Sequence, residues 1–357
     1  MTGPKFQNLL VTGGAGFIGS NFIRYLLDQK DFHGRVINLD ALTYAGNPAS
    51  LGDVEAAHGG GRYRFVQGDI CDRSLVEAVF RDFQVDGVAH FAAESHVDRS
   101  IHGPEAFIRT NVLGTFTLLD CARVAWAGRQ DVRFHHVSTD EVYGSLGPGG
   151  YFREDTPYDP RSPYSASKAS SDHLARAYHH TYGFPVTVTN CSNNYGPYQF
   201  PEKLIPLMIL NILEGRPLPV YGDGRNVRDW VFVDDHNSAV WLVMTRGEPG
   251  ETFNIGGENE WQNLDLVTTL CELMAGALGR DPDEVKKLIT FVADRPGHDR
   301  RYAIDCSKLK KTLGWNQTMD FREGLAKTVA WYLDNPDWVQ GIRTGEYTRW
   351  MTEHYPE

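Results

Sequence analysis

The sequence has few cysteines and no pattern that would join them. Five cysteines are scattered over 357 residues, and no two of them form a Cys-x-x-Cys pair. An odd, widely spaced set argues against a disulfide framework and against a zinc site, because both need cysteines in pairs or clusters. This usage is typical of a reducing compartment, so we expect a cytoplasmic protein.

Long apolar runs and an excess of positive charge are also missing. No apolar run approaches the roughly 20 residues that cross a bilayer, and the N-terminus passes into a strand pattern without the features of a signal peptide. The formal net charge is −11, which disfavours nonspecific binding to nucleic acid or anionic membranes, since both rely on dense Lys and Arg. We therefore expect no nucleic-acid partner and no membrane association.

The chain does have a regular alternation of strand and helix patterns. Helical stretches separate five apolar strand patterns, QNLLV, RVINLD, YRFVQGD, VDGVAHFAA and VRFHHVST. Such alternation predicts an α/β fold with a doubly wound parallel (Rossmann) sheet, whose ligands bind at the carboxyl ends of the strands. The length leaves room for a second, smaller α/β lobe, which we expect to bind substrate.

A glycine-rich turn joins the first strand pattern to the first helix pattern. Gly14, Gly16 and Gly19 form Gly-x-Gly-x-x-Gly, and Gly13 widens the motif. Residues without side chains let the backbone turn tightly and present a pyrophosphate to a helix N-terminus. About twenty residues later, Asp40 closes the second strand, where a carboxylate accepts the ribose hydroxyls of NAD and repels the 2′-phosphate of NADP. The pattern therefore predicts an NAD site.

Tyr164 and Lys168 lie one turn apart if residues 162–183 form a helix. On that helix the ammonium faces the phenol and should lower its pKa, which would make Tyr164 a usable base near neutral pH. Tyr-x-x-x-Lys alone has little specificity, and its bland interpretation is an exposed helix pair. After five alternating strands and a dinucleotide motif, it predicts a catalytic pair.

Two acids, Asp140 and Glu141, directly follow the fifth strand pattern. Adjacent side chains on a regular strand face opposite sides, so both acids reach one ligand only if the strand ends at about Thr139. Two carboxyls in one cavity resist double ionisation and should share a proton near neutral pH. The alternative is an exposed loop with two ionised acids.

The neighbouring histidines, His135 and His136, lie on the fifth strand pattern itself. Their side chains should point to opposite faces of the strand, so we expect no metal site.

Several phrases resemble the extended short-chain dehydrogenase/reductase family: TGGAGFIGS, HFAAESHVDRS, YSASK and the Asp that closes RVINLD. STDEVYG, NCSNNYGPYQFPEKLIP, RDWVFVDDH and ADRPGHDRRYAID resemble, more narrowly, its nucleotide-sugar 4,6-dehydratases of the dTDP-glucose type. The resemblance implies that Tyr164, assisted by Lys168, takes the proton of the sugar 4-hydroxyl while NAD takes the C4 hydride. Glu141 then removes the C5 proton, Asp140 protonates the departing 6-hydroxyl, and hydride returns to C6.

The resemblance also implies two sets of binding residues. NAD, held tightly and regenerated in each turnover, would contact Gly13, Gly16, Phe17, Ile18, Gly19, Asp40, Leu42, Thr43, Asp69, Ile70, Ala92, Ala93, Ser95, Thr110, Tyr164 and Lys168. The nucleotide sugar would contact Ser95, Thr139, Asn193, Lys203, Leu204, Pro219, Tyr221, Arg228, Asn263, Arg295 and His298. Arg228 and Arg295 suit a diphosphate as charge-assisted partners. Asn193 could equally be a turn residue, and Thr139 could simply finish the strand.

The resemblance further implies a chain that crosses between two lobes. We expect an NAD domain at 1–190, which 228–257 rejoins, and a nucleotide-sugar lobe at 191–227 and 258–357. Members of the family form homodimers through helices that here contain FIRTNVLGTFTLLDCA and SASKASSDHLARAY. Three alternatives stay open: a 4,6-dehydratase of another nucleotide sugar, a 4-epimerase, which has no use for an Asp-Glu pair, and a non-catalytic NAD-sensing protein.

Overall fold

The computed structural model describes residues 4–294 and 298–342. Its strands are β1 (Asn8–Thr12), β2 (Arg35–Asp40), β3 (Tyr63–Gln67), β4 (Gly87–His90), β5 (Arg133–Thr139), β6 (Val186–Cys191), β7 (Asn193–Tyr195), β8 (Leu218–Tyr221), β9 (Val227–Phe232), β10 (Thr252–Ile255), β11 (Glu260–Gln262) and β12 (Ile289–Val292). Its α-helices are α1 (Phe17–Asp28), α2 (Gly52–His58), α3 (Arg73–Phe83), α4 (Val97–His102), α5 (Pro104–Phe107), α6 (Thr115–Ala125), α7 (Pro163–Tyr182), α8 (Leu204–Glu214), α9 (Val233–Arg246), α10 (Asn263–Leu278), α11 (Pro282–Lys286), α12 (Ser307–Leu313), α13 (Phe321–Asp334) and α14 (Pro336–Ile342).

The largest sheet has seven parallel strands in the order β10-β6-β5-β4-β1-β2-β3. Its strands are buried because helices cover both faces. In β1, Leu9 and Val11 pack in the core that contains α1 and α9, whereas Leu10 packs in the core that contains α3, α6 and α7. The strand order reverses between β1 and β4, which is the switch point where doubly wound sheets bind ligands. The predicted fold class is confirmed.

Two small sheets lie in the later part of the chain. One has the strand order β11-β9-β7, and the other pairs β12 with β8. A separate core joins them to α8, α10 and α13 through side chains such as Met208, Leu270 and Phe321. This core is the apolar centre of a second lobe, as the chain length predicted.

The chain crosses between the two parts more than once. β10 joins the seven-stranded sheet and α9 packs on α1, whereas β9 pairs with β7 and β11. Ile304 and Leu309, from the range expected in the second lobe, pack in the same core as α1 and α9. The domain boundaries at 190, 228 and 258 stay predictions. Among the residues that the structure describes, no helix is long and apolar enough to cross a membrane.

Candidate active site

The two acids sit where β5 stops. β5 ends at Thr139, and a 3₁₀ helix, Asp140–Tyr143, begins at the next residue. Thr139 caps this turn: its Oγ1 accepts a hydrogen bond from the Glu141 amide at 3.2 Å and donates to Oδ1 of Asp140 at 3.3 Å. Because helical backbone replaces the strand alternation, Thr139, Asp140 and Glu141 all line one cavity. The predicted end of the strand is confirmed.

The acids differ in their surroundings. Asp140 is only 2% exposed and its Oδ2 has no hydrogen-bond partner among the described residues, whereas Glu141 is partly exposed. Burial, followed by the charges of Glu141 and Asp229, raises the pKa of Asp140 well above its ordinary value, and Arg228 opposes this only in part. Of the two acids, Asp140 is therefore the one whose surroundings favour the protonated form.

The Tyr-Lys pair lies at the start of α7. A capping box sets this start, in which Ser162 Oγ accepts from the Ser165 amide and Ser165 Oγ accepts from the Ser162 amide, both at 3.0 Å. Tyr164 and Lys168 are buried one turn apart and line the same cavity as the acids. The Lys168 ammonium donates to the carbonyl of Val137 at 2.8 Å, which ties α7 to β5.

The pKa of Tyr164 is raised, so the prediction of a lowered pKa was wrong for the protein alone. Burial is the largest cause, and the negative charge of Glu141 is the next. The Lys168 ammonium does not outweigh these effects, since it donates to the Val137 carbonyl and burial lowers its own pKa. An additional cation in the cavity would bring the phenol closer to a working range.

The glycine turn leaves space at the opposite end of the cavity. Gly13 has φ +71°, and a Cβ there would lie 2.6 Å from the Ala92 nitrogen, so only glycine fits the turn. The N-cap of α1 is Gly16, which provides no side-chain cap for the first helical amides. Uncapped amides at a helix N-terminus attract an anion. The turn therefore has the form of a pyrophosphate site.

Asp40 is held rigidly at the end of β2. Its Oδ2 accepts from the Ala15 amide and its Oδ1 from the Leu42 amide, both at 2.8 Å. Leu42, which donates one of these bonds, adopts the left-handed φ of +54°. Asp40 thus lines the cavity with a fixed orientation, while Leu42 supports it from outside the lining.

One cavity brings together most of the predicted residues. They are Gly13, Gly16, Phe17, Ile18, Gly19, Asp40, Thr43, Asp69, Ile70, Ala92, Ala93, Ser95, Thr110, Thr139, Asp140, Glu141, Tyr164, Lys168, Asn193 and Lys203. Asn193 begins the short strand β7, so the turn interpretation of this residue was wrong. Lys203 donates from Nζ to the carbonyl of Ser95 at 2.9 Å, which joins the segment before α8 to the segment after β4.

Seven predicted residues do not line this cavity: Leu42, Leu204, Pro219, Tyr221, Arg228, Asn263 and His298. Arg295 lies outside the described residues. The buried Arg228 stacks on the Tyr302 ring at 4.4 Å and donates to the carbonyl of Asp299 at 2.9 Å. The charge of Arg228 lowers the pKa of Asp140, and the charge of Glu141 raises the pKa of Tyr302. Arg228 and Tyr302 therefore lie next to the two acids.

Sequence reasoning missed Glu202, which lines the cavity beside Lys203. Its Oε1 accepts from the Tyr44 hydroxyl at 3.0 Å, and its Oε2 lies 3.7 Å from Nε of Arg99. Burial raises the pKa of Glu202 to about 7, although Lys203 and Arg99 lower it. In the sequence, the clue to Glu202 was its position directly before Lys203, which was predicted to contact the nucleotide sugar.

The doubly wound sheet, the glycine turn, and the Tyr-Lys pair at the strand ends define an extended short-chain dehydrogenase/reductase. The family model described as GDP-mannose 4,6 dehydratase matches residues 10–328, and the chain belongs to this family. The dTDP-glucose 4,6-dehydratase of Salmonella typhimurium is 52% identical over 98% of this chain and 99% of its own length. That of Xanthomonas campestris is 57% identical over 95% of this chain and 96% of its own length.

Two solved structures show how far the fold is shared. DesIV (dTDP-glucose 4,6-dehydratase) from Streptomyces venezuelae, solved with NAD bound, is 50% identical with a TM-score of 0.85, over 94% of this chain and 99% of that one. The Thermus thermophilus UDP-glucose 4-epimerase in complex with NAD is 29% identical with a TM-score of 0.80, over 92% of this chain and 99% of that one. Both kinds of enzyme share the fold, so the fold alone does not distinguish a dehydratase from an epimerase. The distinction has to come from the acid pair.

Proposed function

We propose that the chain is an NAD-dependent dTDP-glucose 4,6-dehydratase, a hydro-lyase that forms dTDP-4-keto-6-deoxyglucose for deoxysugar biosynthesis. The observation that carries the proposal is the buried Asp140, whose pKa is raised, beside Glu141 in one cavity with Tyr164 and Lys168. Elimination of water needs a proton donor for the leaving hydroxyl and a base for the C5 proton, whereas epimerisation needs neither. The curated relatives at 52% and 57% identity are dehydratases of this nucleotide sugar.

The residues present fit NAD. Gly13 lets the chain turn tightly against the Ala92 backbone, where a side chain has no space, and the uncapped N-terminus of α1 offers amides to a pyrophosphate. Asp40 points into the cavity with both oxygens fixed, which suits ribose hydroxyls and disfavours a 2′-phosphate. We assign Asp69 and Ile70, beyond the end of β3, to the adenine side of the cofactor. Ala92, Ala93 and Thr110 are assigned to its nicotinamide side.

The same geometry gives each catalytic group a step. When bound, NAD supplies hydride acceptance from C4, hydride return to C6, and a positively charged ring in its oxidised form. Tyr164 Oη takes the proton of the 4-hydroxyl, and the Lys168 ammonium favours the phenolate. The resulting C4 ketone acidifies the C5 proton, which Glu141 takes and later returns. Asp140 gives its proton to the 6-hydroxyl as water leaves, and Thr139 Oγ1 is placed to hold the sugar near O4.

A product assay tests the proposal. Purified protein with NAD is mixed with dTDP-glucose, and the 4-keto-6-deoxy product is measured, with UDP-glucose, GDP-mannose and CDP-glucose as comparison substrates. We expect product from dTDP-glucose at the highest kcat/KM. Product from another nucleotide sugar only would make the chain a different dehydratase. A C4 epimer without loss of water would support the epimerase, and no reaction with any of them would contradict enzymatic activity on these sugars.

We also propose that two copies of the chain associate through α4 to α7. Exposed large apolar side chains lie along these helices and the π-helix Ile108–Gly114 between them: Ile101, Ile108, Leu113, Val124 and Tyr182. Exposed large apolar side chains are typical of protein interfaces, and all of these except Ile101 lie on the helices that the resemblance indicates. Sedimentation equilibrium of the purified chain should give twice its mass. The free cysteines, four of them buried, fit the cytoplasmic location that we propose.

A further inference from the structure

Another buried carboxylate, Asp172, lies on the same helix as Tyr164 and Lys168. Asp172 follows Lys168 by one turn of α7 and is 0% exposed, and it does not line the cavity. Four side chains donate to it, which we call the Asp172 shell: His136 Nε2 to Oδ1 at 3.0 Å, and Ser138 Oγ, Tyr158 Oη and Asn190 Nδ2 to Oδ2 at 2.9, 2.9 and 3.2 Å. The proposed reaction uses none of these groups.

The shell keeps Asp172 ionised. Burial alone would raise the pKa of Asp172, but the hydrogen bond and charge of His136, followed by the charge of Lys168 and the hydrogen bond from Ser138, bring it below its ordinary value. A carboxylate that accepts this many hydrogen bonds is stable as an anion even without water. The interior beside the active site therefore contains a fixed negative charge.

Lys168 is a buried cation one turn before Asp172 on the same helix. Its Nζ donates to the neutral carbonyl of Val137, which cannot compensate a buried ammonium. Burial lowers the pKa of Lys168, and the charge of Asp172 is the first influence that opposes it. Residues one turn apart on a helix are close enough for strong coupling when water is excluded.

Glu141 lines the same cavity as Lys168 and is ionised in the proposed reaction, whereas four other titratable groups around Lys168 are neutral near pH 7. They come from four elements: His90 on β4, His136 on β5, Cys191 on β6 and Tyr164 on α7. Burial lowers the pKa of His136 to about 4 and that of His90 well below its ordinary value. Burial raises the pKa of Cys191 to about 12 and also raises that of Tyr164. On the far side of the shell, Arg176 donates to the Tyr158 hydroxyl at 2.7 Å and adds a second positive charge.

We infer that Asp172 is a positioning residue for the reaction, whose buried charge keeps the Lys168 ammonium protonated beside Tyr164. Its hydrogen bonds with His136 and Ser138 also hold the last residues of β5 in place, directly before Thr139 and the two acids. The part of this inference that concerns the reaction rests on the proposed function. The coupling between the two buried charges does not, so the two parts can fail separately.

The kinetic test uses Asp172→Asn in the full-length enzyme with bound NAD. Single-turnover formation of reduced nicotinamide from dTDP-glucose is measured against pH. If Lys168 must be protonated for this step, the rate falls at alkaline pH, and removing the charge of Asp172 should move that alkaline limb down by about one pH unit or more. KM should stay within about twofold, because Asp172 does not reach the cavity that binds the substrate.

Tyr158→Phe is the matched control, since it removes one donor to Asp172 but keeps the negative charge. Its alkaline limb should stay at the wild-type position. An Asp172→Asn enzyme that folds normally and keeps the wild-type limb would overturn the inference while leaving the dehydratase activity intact. Absence of any reaction in the wild-type enzyme would instead contradict the proposed function.

A double-mutant cycle of thermal stability tests the coupling between Asp172 and Lys168 without an activity assay. Asp172→Asn leaves a buried ammonium unpaired, and Lys168→Met leaves a buried carboxylate unpaired, so each should lower Tm or prevent folding. The double variant leaves neither charge alone, and its Tm should exceed that of Asp172→Asn by about 4 °C or more. If the double variant is no more stable than Asp172→Asn, or fails to fold as that variant does, the coupling between the two buried charges is refuted.

Discussion

Asp140→Asn removes the proton that leaves with the 6-hydroxyl while keeping nearly the same side-chain shape. Thr139 Oγ1 now donates to Oδ1 of Asp140 at 3.3 Å, and it can donate equally to an asparagine oxygen. Binding and C4 oxidation should therefore persist. Loss of a general acid typically costs about 10²–10⁴ in rate, so dehydration should slow by that factor and reduced nicotinamide should accumulate.

The same substitution should change the pH dependence of stability. Because burial raises the pKa of Asp140, the folded chain binds a proton that the unfolded chain releases. The stability from this proton is fully present below the unfolded pKa of about 4 and is lost as pH rises through the higher folded pKa. Each unit between the two pKa values is worth about 1.4 kcal/mol at the alkaline end. Asparagine has no such loss, so its Tm advantage over the wild type should grow with pH.

Rapid mixing with dTDP-glucose in deuterated water separates the steps. Nicotinamide absorbance reports C4 oxidation, and mass spectrometry of the sugar reports exchange at C5 and loss of water. Since Glu141 is intact, Asp140→Asn should exchange the C5 proton with solvent without eliminating water. Dehydration at close to the wild-type rate, or a Tm profile parallel to that of the wild type, would refute the assignment of the proton to Asp140.

Three further predictions concern the other parts of the site. Glu141→Gln should oxidise C4 and accumulate reduced nicotinamide but neither exchange the C5 proton nor lose water; normal turnover would disprove its role as the base. Asp40→Asn places an amide against two backbone N–H donors, so bound NAD should be lost more easily on dilution and preference over NADP should weaken. Unchanged retention and selectivity would exclude Asp40 from the ribose site. Gly13→Ala forces a Cβ to 2.6 Å from the Ala92 nitrogen, whereas Gly150→Ala imposes the same strained φ with open space around it. Cofactor titration should show weak NAD binding only for the Gly13 variant, and equal affinities would contradict the pyrophosphate assignment.

The sheet and the turn at the end of β5 could be predicted from the sequence because their causes are local. Apolar runs separated by helical stretches leave few options other than a parallel sheet covered on both faces. Two adjacent acids that serve one ligand require the strand to stop, and Thr139 is suited to cap the turn that follows. The chemistry of the acid pair therefore required the strand to end at about Thr139, and β5 does end there.

Features that depend on distant residues could not be predicted in this way. The pKa of Tyr164 depends on Glu141, which precedes it by more than twenty residues and becomes a neighbour only in the fold. The spacing to Lys168 was visible in the sequence, but the bond of Lys168 to the carbonyl of Val137 was not. Glu202 was overlooked because its partners, Tyr44 in the segment after β2 and Arg99 in α4, are far away in the chain.

Asp140 and Asp172 show why residue type and burial do not determine protonation. Both are almost completely buried near the end of β5, yet the pKa of Asp140 is raised and that of Asp172 is lowered. Four donors surround Asp172, whereas Asp140 accepts from Thr139 on one oxygen and has no hydrogen-bond partner among the described residues on the other. Each added donor stabilises the anion, so a carboxyl that must deliver a proton has to be kept short of donors. The donors to Asp172 come from β5, β6 and the segment before α7, so the division between an acid and a fixed charge arises only when those elements meet.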